Sequence, residues 1–63
     1  VSIAPSVRLR LFDRLVNLMS GAIHRGYWGK ARDIAEEAEA LGLESESFTR
    51  LKDKLIDYYR EMD

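Results

Sequence analysis

The one imidazole of this 63-residue chain, His24, is the side chain best suited to proton transfer near neutral pH or to a transition metal. Either role needs companions. A general base must lie within hydrogen-bond reach of the proton it takes, and a metal needs further ligands at fixed spacing. The sequence offers no cysteine, no His-Glu zinc signature, no glycine-rich phosphate loop and no nucleophile-base pair. His24 falls instead on the polar side of a helical stretch, near its end, where a positive charge complements the helix dipole. Asp33, Glu36 and Glu37 bring carboxylates close together, yet without a second ligand cluster they read as a solvated helix face. We therefore expect no enzyme activity, no cofactor and no metal site.

Residues suited to recognition are better represented. Arg8, Arg10 and Arg14 stand close together, and residues 6–25 sum to +3 (four arginines less Asp13) whereas residues 27–42 sum to −2. Charge complementarity between antiparallel first and second helices is the favoured explanation, ahead of steering toward an acidic partner or a phosphate backbone. Tyr58 and Tyr59 are neighbours, hence about 100° apart on a helix, so one pocket cannot hold both. Such a ring serves equally as an interface anchor or as a half-buried side chain with its hydroxyl in water. The whole-chain charge of −1 lacks the basic excess of a phosphate-binding domain. No apolar run approaches the roughly 20 residues of a membrane span. With no cysteine to favour an oxidising compartment, an intracellular location is the default expectation, and a start at Val1 suggests a processed product or a segment of a longer protein.

Three helices must position these residues. Residues 1–5 read as an extended lead-in, with Ser2 or Ser6 available as a cap and Pro5 tolerated in a first turn. Over about 6–25, Leu11, Leu15, Leu18 and Ala22 form one apolar row, and Phe12, Val16, Met19 and Ile23 form a second beside it. With Leu9 added, the apolar arc covers about half the circumference, wider than the roughly 100° stripe of an ordinary surface helix. Ser20-Gly21 marks a point where a bend or a close backbone approach is cheap. Gly26 ends this helix. A second, over about 27–41, buries an alanine stripe (Ala31, Ala35, Ala38) with Ile34 and Leu41, wedges Trp28 at one end and stops at Gly42. The third, over about 45–62, opens on Glu44-Ser45-Glu46-Ser47, and Phe48, Leu51, Leu55, Tyr58, Tyr59 and Met62 supply its apolar face. Glu46–Arg50 and Arg32–Glu36 are expected i,i+4 ion pairs.

Leu15 to Gly42 resembles one unit of the helical-hairpin repeats, tetratricopeptide or pentatricopeptide: Gly26 ends a helix, an aromatic follows at Trp28, and Ala31, Ala35 and Ala38 line the next helix up to Gly42. The resemblance implies nested helices and neighbours to cover their faces. Met19 stands where tetratricopeptide repeats have a small residue, Leu43 where they close with proline, and Val16 where pentatricopeptide repeats place an RNA-reading polar residue. Ile3 to Pro5, Tyr27-Trp28, Ala31 to Ile34 and Phe48 to Ile56 more loosely resemble the C-terminal helical domain shared by an outer COPII coat protein and the steroid receptor RNA activator protein, which implies interaction through an all-α domain. Ile34 to Glu37, Leu41-Gly42-Leu43 and Ser47 to Leu51 are also similar to a helix-turn-helix, although the spacing is about three residues too long and Glu44 and Glu46 oppose phosphate.

The expected fold is all-α, an antiparallel hairpin with a third helix packed on it, in a single domain over 1–63. Its expected role is protein–protein contact with a partner or with itself, possession of a nucleic-acid surface being the alternative. The anchors expected to carry that contact are Leu9, Val16 and Ile23 on the first helix, Tyr58 and Tyr59 on the third, and the steering charges Arg8, Arg10 and Arg14.

Overall fold

In the computed structural model, which describes residues 5–62, the chain forms α1 (Pro5–Arg25), α2 (Trp28–Ala40) and α3 (Glu46–Met62). It is an all-α three-helix domain. Residues 1–4 and Asp63 lie outside the described residues, and with them the lead-in and the proposed Ser2 cap. Pro5 is the first helical residue, a position where its missing N–H costs nothing and its fixed φ suits the helix. Ser6 consequently sits inside the first turn and is not the cap.

The α1–α2 turn is closed by backbone chemistry alone. Gly26 takes φ +83°, its N–H donates to the Ile23 carbonyl at 3.1 Å, and the Tyr27 N–H donates to the Ala22 carbonyl at 2.8 Å. This pair of bonds is a Schellman motif, which satisfies carbonyls that the helix end leaves without partners. Gly42 repeats the left-handed stop after α2, with φ +74° and an N–H bond to Glu39 of 3.0 Å. Ser45 then caps α3: its Oγ accepts from the Phe48 N–H at 3.1 Å, while its carbonyl accepts from the Thr49 N–H at 3.0 Å.

The core lies where all three helices meet. Phe12, Leu15, Val16, Met19 and Ala22 of α1 are buried against Ala31, Ala35 and Ala38 of α2 and Phe48, Leu51 and Leu55 of α3. Alanines on α2 let it approach α1 closely, and these two helices make the most extensive pairing in the domain. Phe12 meets Phe48 edge to face, 5.2 Å between ring centres, at the start of α3. Trp28 lies flat on Tyr58 near its end, with centres 4.2 Å apart and planes within 9°. Both contacts together require α3 to run parallel to α1 and antiparallel to α2. Lys52, whose ammonium lies 4.5 Å from the Phe48 ring centre and 3.4 Å from Glu39, links α3 to α2 between them. The i,i+4 pairs expected from the sequence are formed on the surface, Arg50–Glu46 at 2.6 Å and Arg32–Glu36 at 3.9 Å.

Gly21 makes no close approach. A Cβ built there meets nothing within 4 Å, so of the bend or close approach that Ser20-Gly21 makes cheap, the close approach is not used at Gly21.

Candidate interaction surface

Two flanks border the buried arc of α1, and α3 lies along one of them. At about 100° per residue, Val16 and Ile23 face the α3 side of the arc, with Leu9 just beyond them. Val16 is only 8% exposed and lies against Leu51 beside the seam that Asp13, Ser20, Ser45 and Lys54 border. Ile23 is partly buried on the core. The expectation that Val16 serves as an accessible anchor is therefore corrected, because α3 occupies the space in front of it. Leu9 remains 53% exposed, beyond the reach of the core.

The opposite flank has no such cover. Val7, Leu11 and Leu18, on one line along α1 at i, i+4 and i+11, are exposed large apolar side chains, Leu18 by 52%. Across the α1–α2 seam, Ile34 and Leu41 are only half-buried, and Tyr27 at the turn is 58% exposed. Leu15, Leu18, Ala22, Tyr27 and Ile34 share one shallow groove there, whose rim carries Arg25, Lys30 and Glu37. The apolar excess of α1 lies chiefly on Leu11 and Leu18, which share a helical row with the buried Leu15 and Ala22.

Both tyrosines are engaged within the chain. Tyr58 is stacked on Trp28, and Tyr59 packs on the core with its ring edge to face against Tyr58 at 5.2 Å and the Arg32 guanidinium 5.4 Å from its centre. Their adjacency, which prevents them from sharing a pocket, is how one end of α3 grips two parts of α2. Neither the Trp28 stack nor the Lys52 link had a local sequence signal, since the partners lie 30 and 13 residues apart. A second open groove, about 710 Å³, runs beside this clamp between Arg32, Ile56, Tyr59, Arg60 and Met62. Arg32 and Tyr59 in its wall belong to the clamp that joins α3 to α2, whereas Ile56 and Met62 are exposed side chains of α3.

The basic residues do not form one patch. Arg10 and Arg14, at i and i+4, share a side of α1, whereas Arg8 projects about 160° away from Arg10 and is half-buried. Among the described residues the ion pairs are Arg32–Glu36, Arg50–Glu46 and Lys52–Glu39, and none joins α1 to α2. The opposite charges of these two helices are thus not paired with each other, although Glu39 of α2 is engaged by Lys52 of α3. His24 is exposed, no group of three metal-ligating side chains occurs among the described residues, and no helix of the described residues is long and apolar enough to cross a membrane.

No family model, no curated protein and no solved structure matches the chain.

Proposed function

We propose that this domain is a non-enzymatic protein-interaction module, and that the surface it offers is the α1/α2 face that α3 leaves open. The observation that carries the reading is the line of Val7, Leu11 and Leu18 beside half-buried Ile34 and exposed Tyr27. Single exposed leucines are ordinary, but a contiguous apolar strip with charged rims is the pattern of a docking surface. Each leucine or isoleucine removed from water there contributes on the order of 1–2 kcal/mol at about 25 cal/mol per Å². The likeness of residues 15–42 to a helical-hairpin repeat unit supports the same reading, since such units expose faces that neighbours cover. The helix-turn-helix alternative draws no comparable support: α3 carries Arg50, Lys52, Lys54 and Arg60 against Glu46, Asp53, Asp57 and Glu61, leaving no excess charge for phosphate.

The test is capture of binding proteins by the immobilised chain and by its Leu18→Glu variant, with circular dichroism as the control for folding. A protein retained by the native chain and lost with the folded variant is the expected result. Equal retention by both, or binding that is confined to random-sequence duplex DNA and falls steeply with salt, would overturn the proposal.

A further inference from the structure

The open face has a chemistry that suits a second copy of the same chain. On this face α1 presents Arg14 and Arg25 and α2 presents Lys30 and Glu37, whereas Glu36 and Glu39 are engaged with Arg32 and Lys52 on the α3 side and Arg8 projects away from Arg10 and Arg14. No ion pair among the described residues joins the two helices. A two-fold axis running along the hairpin places α1 of each copy over α2 of the other, so an Arg14–Glu37 pairing is available twice.

The register along the hairpin supports that arrangement. Arg14 precedes Arg25 by 11 residues and Glu37 follows Trp28 by 9, so at about 1.5 Å per residue they lie about 16 and 14 Å from the turn end. Leu18 and Ile34 lie about 10 and 9 Å from it, and Leu11 and Leu41 about 21 and 20 Å. A two-fold axis parallel to the helices preserves these heights. Leu18 then meets Ile34 of the second copy, Leu11 meets its Leu41, and Arg14 meets its Glu37. Turning the second copy end over end instead would set α1 on α1, arginine on arginine.

We propose that the open α1/α2 face is a self-complementary interface that pairs two copies of this chain into an antiparallel four-helix layer, with α3 on the outside of each. The proposal rests on the interaction reading above and names its partner. The overlapping part of the hairpin, about 20 Å long and two helices wide, corresponds to a total buried area on the order of 1,000 Å². Interfaces of that size are at the weak end of specific association, so the dimer forms at micromolar concentrations.

Sedimentation equilibrium of the purified 63-residue chain from about 1 to 500 µM tests this, using native chain, Leu18→Glu, Arg14→Glu, Glu37→Arg and the double exchange R14E/E37R. The native chain is expected to dimerise. Leu18→Glu should raise the dissociation constant at least a hundredfold, because the two-fold axis introduces the carboxylate twice. Each single charge reversal should raise it about tenfold, and the double exchange should return it to within about threefold of the native value. These charges are exposed, so folding is retained and the result does not hinge on the leucine variant. A native chain that stays monomeric to 500 µM overturns the proposal, and so does a dimer indifferent to Leu18 or a double exchange that fails to restore association. If the monomeric chain still retains a different protein in a Leu18-dependent way, the interaction reading stands and only the second copy is removed as its partner.

Discussion

The two flanks of α1 carry the same kind of side chain, yet one is covered by α3 along Val16 and Ile23, with Leu9 exposed beyond it, and the other faces water. Val16 and Leu18 are two residues apart, 8% and 52% exposed, and hydropathy ranks them alike. What separates them is which side of the hairpin α3 takes, and that is decided by the two ends of α3: Phe48 against Phe12, and Tyr58 against Trp28. In a chain this small one further helix covers one flank, because a single core supplies roughly 3–5 kcal/mol and little apolar surface can be buried on every side at once. The uncovered flank follows from helix number as much as from sequence.

Placing an acid on each flank gives the largest contrast. Val16→Asp sets a carboxylate into the α1–α3 contact, a cost of several kcal/mol that equals or exceeds the stability available to the domain. Cooperative thermal unfolding followed by circular dichroism should disappear. Leu18→Asp, in solvent on the open flank, should shift the fold's stability by less than about 1 kcal/mol. Similar melting of the two variants would mean that α3 does not discriminate between the flanks in solution.

The clamp at the far end of α3 comes next in size. Trp28→Ala removes the surface on which Tyr58 stacks, a loss on the order of 2–3 kcal/mol for a half-buried aromatic. Its mark is local: amide exchange in the last turns of α3 should accelerate more than exchange around Met19, which the alanine stripe of α2 still covers. Uniform acceleration would show that the clamp governs the whole fold. A smaller loss, about 1 kcal/mol, is expected at the opposite end from Ser45→Ala, which deprives the Phe48 N–H of its capping oxygen. The thermal midpoint reads it.

Local chemistry made the helices legible. Gly26 and Gly42 stand where left-handed stops occur, Ser45 where a cap is required, and the ends observed differ by one residue or so from those expected. The alanine stripe and the core of α3 were equally plain, because helical periodicity identifies an apolar face directly. Periodicity does not say which edge of a wide face a third helix covers. Leu11 and Leu18 share a row with Leu15 and Ala22, which are buried, so the row reads as core although half its members are in water. Trp28 and Tyr58 each read as isolated aromatics, since a contact across 30 residues leaves no local pattern. The charge asymmetry of α1 and α2 was visible, but the lack of any direct ion pair between them was not, because it depends on where the side chains project.

Gly21 supplies the finest probe of the open flank. It lies three residues after Leu18, about 60° around the helix, and a Cβ placed there meets nothing within 4 Å. Alanine in a helix interior is favoured over glycine by about 0.5–1 kcal/mol, because the unfolded chain loses backbone freedom and no packing is disturbed. Gly21→Ala should therefore raise the thermal midpoint by roughly 2–8 °C in a domain of this size. Association should change by less than about threefold, since Gly21 lies at the margin of the interface, about 60° from Leu18 and about 80° from Leu11 around the helix. A gain in stability accompanied by markedly weaker association would place Gly21 beneath the partner's backbone, and the centre of the contact would have to be moved away from Leu11 toward Gly21. If stability failed to rise, the solvent-open geometry of this side of α1 would itself be wrong, and with it the distinction between its two flanks.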